Sequence, residues 1–489
     1  MRFYTNIQMV GDNFLVRGYE NGRHVSFREK FQPTLFVKSK KDSEWKTLEG
    51  ECVEPIQPGT VRECRDFIRK YEGVDGFKIF GNERFIYQYI SDKYSENEIK
   101  WDIKNINLVT MDIEVKSEEG FPDPEHCSEE MLTISIQDYN TKEIITWGRK
   151  PYVPSQTNVT YHHYSDEVEM LNAFLNWWQT NTPDVVTGWN VRLYDIPYLC
   201  GRIERVMGEK KKKMLSPWNM VSMEEIGISG RVYKVFEMMG ITTLDYLELY
   251  KKFTYKAQES YRLDFIAEVE LGQKKLDHSE FNTFKEFYDG NWKKFVDYNI
   301  VDVELVDRME DKLRLIELVL TMAFDAKVNF VDPMFQVRMW DTIIYNNLKK
   351  QKIVVPPKDR SGGDKDTKFA GAYVKEPKPG VYDWVVSFDL NSLYPHLIMQ
   401  YNISPETLME EKHPSVTVNK ILNEELTFEM YKDYSVCANG AMFRKDVKGF
   451  LPLLMEKMYD ERKAFKKKML KSKQQLVDIE SEMKRRGIK

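Results

Sequence analysis

The chain has 489 residues, of which 42% are hydrophobic, 13% aromatic and 30% charged; 72 Lys and Arg against 77 Asp and Glu give a net charge of −5. At roughly 100–200 residues per domain this length holds about three domains, each able to bury a core, and the composition excludes a disordered chain. The charge balance excludes a globally basic, histone-like binder but not a local basic groove, because a polyanion responds to how charge is distributed. The five cysteines (Cys52, Cys64, Cys127, Cys200 and Cys437) form no C-x-x-C pair. That argues against a disulfide framework, a zinc ribbon or an iron–sulfur cluster, and it suits a reducing compartment. The start MRFYTNIQMVG lacks the charged-then-apolar pattern of a signal peptide. No apolar run reaches the roughly 18 residues of a membrane span. The richest run, Leu315 to Phe324, is interrupted by Glu317. A soluble, cytoplasmic protein is expected, with no repeat at solenoid periods.

In chain order, residues 1–106 read as short strands and turns with a helix near Val61–Tyr71. An apolar strand with embedded acids follows, Ile106-Asn-Leu-Val-Thr-Met-Asp-Ile-Glu-Val115. Strands and helices then alternate to about residue 317, which predicts an α/β domain with a central sheet. Segments 166–180 and 291–323 carry helical periodicity. Residues 355–380 are rich in Pro, Gly, Lys and Asp and mark a linker or boundary. A buried strand is expected at Asp383–Leu390. The stretch 461–489 holds eleven Lys or Arg against four Asp or Glu. It reads either as a solvated helix face or as a phosphate-facing surface. Lys210–Lys213 reads as a solvated or phosphate-facing loop.

Asp112 and Glu114 are two apart in their strand, so both side chains leave one face. Paired carboxylates on a buried face repel and lose hydration unless a cation neutralises them. Hard oxygen ligands at this spacing suit Mg²⁺ or Mn²⁺. The pair alone is weak, since Glu268-Val-Glu270 repeats the spacing by chance. Asp184-Val-Val-Thr-Gly-Trp-Asn190 reads as a strand ending in a turn, and Asp195 follows in an apolar setting. Asp195 is either a member of the same acidic group or a helix N-terminal acid before Pro197. In the helical pattern Asp297–Glu304, Tyr298 and Asp302 share a face. A tyrosine hydroxyl beside a metal-bound carboxylate can orient a water; the alternative is a core tyrosine with an exposed acid.

The strings TMDIEV, TGWNVRLYDIPYL and YNIVDVELV, in that order, make residues 107–317 resemble the proofreading domain of B-family DNA polymerases of the T-even phage kind. The resemblance implies a two-metal 3′→5′ exonuclease holding its ions on Asp112, Glu114, Asp195 and Asp302, with Tyr298 beside them. It also implies a β-hairpin at about 228–241, before Thr243–Lys252, that helps separate primer from template. Phe121, in GFPDP, is either an aromatic that stacks on a frayed base or a loop residue tucked into the core.

Ser387-Phe-Asp-Leu-Asn-Ser-Leu-Tyr-Pro-His-Leu-Ile398 reads as a strand that delivers Asp389 to a turn, then a helix starting near Pro395. Taken alone, an aspartate before a helix is usually a cap. The string resembles motif A of the same polymerase family. The resemblance implies that Asp389 is a metal ligand, that Leu390, Asn391, Ser392 and Leu393 line the nucleotide, and that Tyr394 excludes a ribose 2′-OH. Phe369–Val374 resembles a template-contacting loop, with Gly371 and Tyr373 as DNA contacts. Asp460–Met469 resembles the first fingers helix, with Arg462 and Lys466 gripping a dNTP.

The resemblance implies an α/β and α+β multidomain fold. Its parts are a β-rich N-terminal domain (1–106), a ribonuclease-H-like exonuclease with a mixed sheet (107–317), and a return segment (318–365). A partial palm (366–447) and a helical fingers arm (448–489) complete it. The second palm carboxylate of a D-T-D-S hairpin and the fingers string K-x₃-N-S-x-Y-G are absent. The expectation is therefore the N-terminal portion of a replicative DNA polymerase, with a second chain supplying the rest, or else a truncated record. It would act on primer–template and single-stranded DNA. The alternatives are a stand-alone 3′→5′ exonuclease and a non-catalytic nucleic-acid-binding subunit.

Overall fold

The computed structural model describes residues 1–95, 98–117, 120, 122–228, 230–277, 279–357, 374–425 and 433–487. Strands β1 (Arg2–Val10), β2 (Asn13–Glu20) and β3 (Arg23–Lys30) form an antiparallel meander. Its second turn is Asn21-Gly22, with φ of 50° and 78°, the pair of positive angles that a tight hairpin turn requires. Tyr4, Ile7, Phe14 and Val16 are fully buried. They join a core with helices α1 (Val61–Tyr71) and α2 (Phe85–Lys93). Helix α1 begins in a capping box: the Thr60 hydroxyl accepts the Glu63 N–H, and the Glu63 carboxylate accepts the Thr60 N–H.

Six strands make a mixed sheet: β4 (Leu108–Val115), β5 (Met131–Asp138), β6 (Ile144–Gly148), β7 (Val159–His163), β8 (Val185–Thr187) and a short strand at Thr242–Thr243. From one edge to the other the order is β7, β6, β5, β4, β8, Thr242–Thr243. Strand β5 runs antiparallel to β4 and β6, and β8 runs parallel to β4. Helices α3 (Glu167–Thr180) and α4 (Asp195–Met207) cover one face, where their Phe174, Leu175 and Leu199 join Met111 and Ile113 in one core. Full burial of such side chains contributes about 1.5–3 kcal/mol each. Helices α5 (Tyr246–Phe253) and α6 (Leu263–Leu271) precede the long α7 (Trp292–Leu313), which packs on β4 and β5. Arg314, at φ 52°, ends α7, and α8 (Leu315–Ala326) follows.

Buried Asp184 ties the meander to this sheet. It pairs with Arg17 at 3.4 Å and accepts from Thr5 at 2.8 Å, Tyr19 at 2.9 Å and the Asn107 N–H at 3.0 Å. Burial works to raise its carboxyl, but His24, 3.6 Å away, Arg17 and the Asn107 N–H outweigh burial and hold it below its ordinary value.

The chain divides into two units, Met1–Val37 with Pro55–Asn347, and Lys38–Glu54 with Leu348–Lys489. In the second unit, α9 (Leu393–Tyr401) leads to Asn402, which takes φ 56°. The Asn402 amide donates to the Arg444 and Val447 carbonyls at 2.7 and 2.8 Å and accepts the Gly449 N–H at 2.9 Å. This fixes the start of the long helix α10 (Phe450–Arg485), and His396 meets Tyr459 edge-on at 4.6 Å.

Three local expectations change. Residues 383–390 form no strand: Trp384 is 98% and Phe388 90% exposed. An apolar run becomes a strand only where a neighbour takes up its N–H and C=O groups, and among the described residues no strand lies alongside it. The hairpin runs earlier than 228–241, from Val221–Ile228 to Arg231–Met238, because the eight-residue register pairs Val221 with Met238. Lys210–Lys213 belong to a short helix, Glu209–Lys213, not a loop. Lys211, Lys212 and Lys213 bond Asn172, Glu204 and Glu209, so these cations are spent within the fold. Most of the expected linker, including the string Phe369–Tyr373, lies outside the described residues. Among the described residues no helix is long and apolar enough to cross a membrane.

Candidate functional site

Strand β4 lies inside the mixed sheet, and its alternation separates two chemistries. Met111, Ile113 and Val115 go to the apolar core, while Asp112 and Glu114 go to the face that α7 covers. Helix α7 adds Tyr298, Asn299 and Asp302, which lie on one side of the helix at three- and four-residue spacings. Oxygens of Asp112, Glu114 and Asp302 come within 4.8 Å of one another.

Asp195 approaches from a third direction. It opens α4, and its Oδ1 accepts the N–H of Ile113, the residue between the two β4 acids, at 3.0 Å. Its approach is fixed on both sides. In the loop before it, Asn190 takes φ 66°, and Asp245 accepts the N–H groups of Asn190 and Arg192 at 3.2 and 2.9 Å. Behind it, Arg202 of α4 grips Glu167 with two bonds of 2.9 and 2.7 Å, both side chains nearly buried. Asp195 thus shares the cleft but stands outside the group of three.

The cleft has a volume of about 480 Å³, and Trp189, Tyr194, Phe284 and Tyr298 line its walls beside the acids. Burial, and then the charges of Asp302, Asp195 and Glu114, push the Asp112 carboxyl well above its usual range. Burial and Asp302 push Glu114 up to about 8. Burial pushes Asp195 up to about 7, against the N–H bond from Ile113. Crowded, buried carboxyls resist ionising until an opposite charge offsets their repulsion and lost hydration, and a cation is such a charge.

Sequence reasoning missed two neighbours. The Lys275 ammonium, in the loop after α6, bonds Asp302 and lies 3.2 Å from the Tyr298 hydroxyl. Burial works to lower that ammonium, but Asp302, Tyr298 and Asp112 together hold it above its ordinary value. Asn299 donates to Asp112 at 2.6 Å. No spacing rule points to Lys275, because it lies in a loop; Asn299 was within reach of the helical argument that placed Asp302.

The donor set fits a hard divalent cation. Oxygens on opposite sides of an octahedral Mg²⁺ are about 4.2 Å apart. Adjacent ligands are nearer, about 3 Å apart, so the three carboxylates, all within 4.8 Å of one another, would draw together around a shared ion.

The other predicted site residues are placed differently. Asp389, Leu390 and Asn391 lie in an exposed, irregular stretch; Ser392 takes φ 52°, and Leu393 and Tyr394 open α9. Tyr394 is 72% exposed. Arg462 and Lys466 are exposed, one turn apart on α10. Among the described residues, the grouping that could hold a metal does not include Asp389. Phe121, Gly371 and Tyr373 lie outside the described residues.

Two family models match this chain: DNA polymerase family B, exonuclease domain, over residues 82–266, and DNA polymerase family B over residues 335–484. The first match includes Asp112, Glu114 and Asp195 and stops before Tyr298 and Asp302. Two proteins described as DNA-directed DNA polymerase, from Escherichia phage RB69 and Enterobacteria phage T4, are 32% and 33% identical over 96% of this chain and 54% of their own length. The DNA polymerase catalytic subunit of Human herpesvirus 6B (strain Z29) is 25% identical over 78% of this chain and 39% of its own. The chain spans about half the length of the phage relatives it matches.

Proposed function

This chain belongs to DNA polymerase family B, and from that premise we propose that residues 107–317 are a ribonuclease-H-like 3′→5′ exonuclease that trims single-stranded DNA ends during replication. One observation carries the proposal. Carboxylates from β4 and α7, nearly 200 positions apart in the chain, meet within 4.8 Å at the base of an aromatic-walled cleft.

In this reading Asp112, Glu114 and Asp302 hold Mg²⁺ or Mn²⁺, and Asp195 completes the set for a second ion. Two such ions, when bound, supply an activated water and neutralise charge on the attacking and leaving oxygens of a phosphodiester. The protein's own groups do the positioning. Tyr298, bonded to Lys275, directs its hydroxyl toward the acids. Trp189 and Tyr194 offer faces on which an unpaired base stacks, a contact worth about 1–3 kcal/mol and indifferent to sequence. The hairpin Val221–Met238 is proposed to help part the strands, and Phe121 to stack on the frayed base.

The test is hydrolysis of a 3′-labelled single-stranded oligonucleotide with Mg²⁺. Release of labelled nucleotide by the intact chain, and its loss in Asp112→Ala, Glu114→Ala, is the expected outcome. Full activity in that variant overturns the assignment.

For residues 366–489 we propose the motif A part of a nucleotidyl-transfer site: Asp389 as metal ligand, Leu390–Leu393 against the dNTP, Tyr394 as the ribose gate, and Arg462 and Lys466 on the triphosphate. Gly371 and Tyr373 are proposed to touch template. Transfer by two metals needs a further carboxylate beside Asp389. The comparisons give the expected second chain no support, since both family models match this one chain. The boundaries 1–106, 107–317, 318–365, 366–447 and 448–489 belong to the same proposal.

A further inference from the structure

Asp112 does not stand alone on its face of the sheet. Its cross-strand partner on β5 is Ser135, and the partner of Ser135 on β6 is Thr146. The three side chains therefore form a row across three strands. Asn299 of α7 caps this row from above. Its Nδ2 donates to Asp112 Oδ2 at 2.6 Å, and its Oδ1 accepts from the Ser135 hydroxyl at 2.5 Å. Ser135 Oγ lies 2.8 Å from Thr146 Oγ1. Thr146, Ser135 and Asn299 are all fully buried, so water does not compete for these bonds.

The polarity of the row is determined by what each group can do. Once a cation holds Asp112 ionised, its carboxylate only accepts, so the amide then turns its N–H toward Asp112. The amide oxygen only accepts, so the Ser135 proton points to Asn299. Ser135 has then spent its one proton, so Thr146 donates to Ser135. Reversing the amide would set two oxygens against each other at Asp112 and leave the Ser135 proton without an acceptor. Each reversal leaves a buried polar group unsatisfied, which typically costs about 1–3 kcal/mol.

We infer that Asn299 is a positioning residue for the metal site. Backed by Ser135 and Thr146, it holds Asp112 Oδ2 so that the carboxylate keeps one orientation toward Glu114 and Asp302. The cation would then meet a ligand already turned to it. This inference rests on reading the acidic group as a metal site. Asn299 touches neither ion nor DNA in this account and acts only through Asp112.

The test is Mn²⁺ binding to the full 489-residue chain, followed by electron paramagnetic resonance, for wild type, Asn299→Ala, Asp112→Ala and the double variant. Loss of a residue that orients a metal ligand typically weakens metal binding about 10–100-fold. Asn299→Ala is expected to raise the Mn²⁺ Kd by about ten-fold at the low end of that range. The same change made in Asp112→Ala is expected to add nothing, because the route through Asp112 is gone. A merely structural role would lower the thermal midpoint and leave Kd where it was. Ser135→Ala removes one hydroxyl and little volume, and it is expected to raise Kd in the same direction by less. It carries the same test should Asn299→Ala fail to fold. If wild type does not bind Mn²⁺, or Asp112→Ala binds it as tightly as wild type, the metal-site reading fails and this inference with it. If Asp112→Ala binds weakly while Asn299→Ala, or Ser135→Ala in its place, keeps the wild-type Kd, the positioning role alone is overturned.

Discussion

The acidic cleft and the stretch around Asp389 surround an aspartate in opposite ways. Asp112 sits on an inner strand beside Ser135 of β5, with a helix above it and a bond from Asn299. Asp389 is exposed, between Phe388 and Leu390 that are 90% and 70% exposed. The first setting raises the cost of ionisation and so creates demand for a cation. An acid within an apolar string is pressed toward a cation where the string is built into a sheet and other elements bring further ligands to it.

The sharpest way to break this contrast is to remove ligands. Asp112→Ala, Glu114→Ala should lower oligonucleotide hydrolysis by about 10³-fold or more, and a chelator should do the same to wild type until Mg²⁺ or Mn²⁺ is returned. Hydrolysis that survives the chelator would end the metal reading. Next in size is Lys275→Met. It leaves buried Asp302 without its cation, so the metal-free protein should lose on the order of 2 kcal/mol in a denaturant titration. Saturating Mg²⁺ should recover most of that loss, and an equal loss with and without Mg²⁺ would contradict it.

The raised acids set a pH dependence. With Glu114 at about 8 and Asp195 at about 7, the metal-free fold holds protons that the unfolded chain has already released above about pH 5. Stability should therefore fall as pH rises from about 5 to about 8, by on the order of 1–3 kcal/mol. Bound Mg²⁺ should flatten the slope, because it favours the ionised cluster. A thermal midpoint that climbs over this range with chelator present would be the wrong sign. The smallest effect is a control: Asp389→Ala should leave hydrolysis within about two-fold, since Asp389 is no part of the acidic group. A larger drop would mean that the two regions act together.

Much of this arrangement was legible in the residues. The two-apart acids of β4 follow from strand alternation, and the Tyr298–Asp302 pair follows from helical spacing. Helix α1 and the segment 166–180 follow from periodicity and capping, which are local properties of the chain. The strand expected at 383–390 failed for the complementary reason. Its apolar content is local, but the partner that would make it a strand is not. Lys275 was invisible for a related reason, since a loop lysine gains its role only from the helix it folds against.

By itself the sequence determined which residues are acids, which face of a strand or helix each one leaves, and the order of strings that marks the polymerase family. Only the tertiary structure decided that α7 returns over β4, that Asp195 arrives from α4 on the N–H of Ile113, and that Asn299 and Lys275 complete the surroundings. The physical reason is range. Alternation and periodicity act over a few residues, whereas a cation site is built by groups far apart in the chain, and their meeting is set by packing of the whole unit.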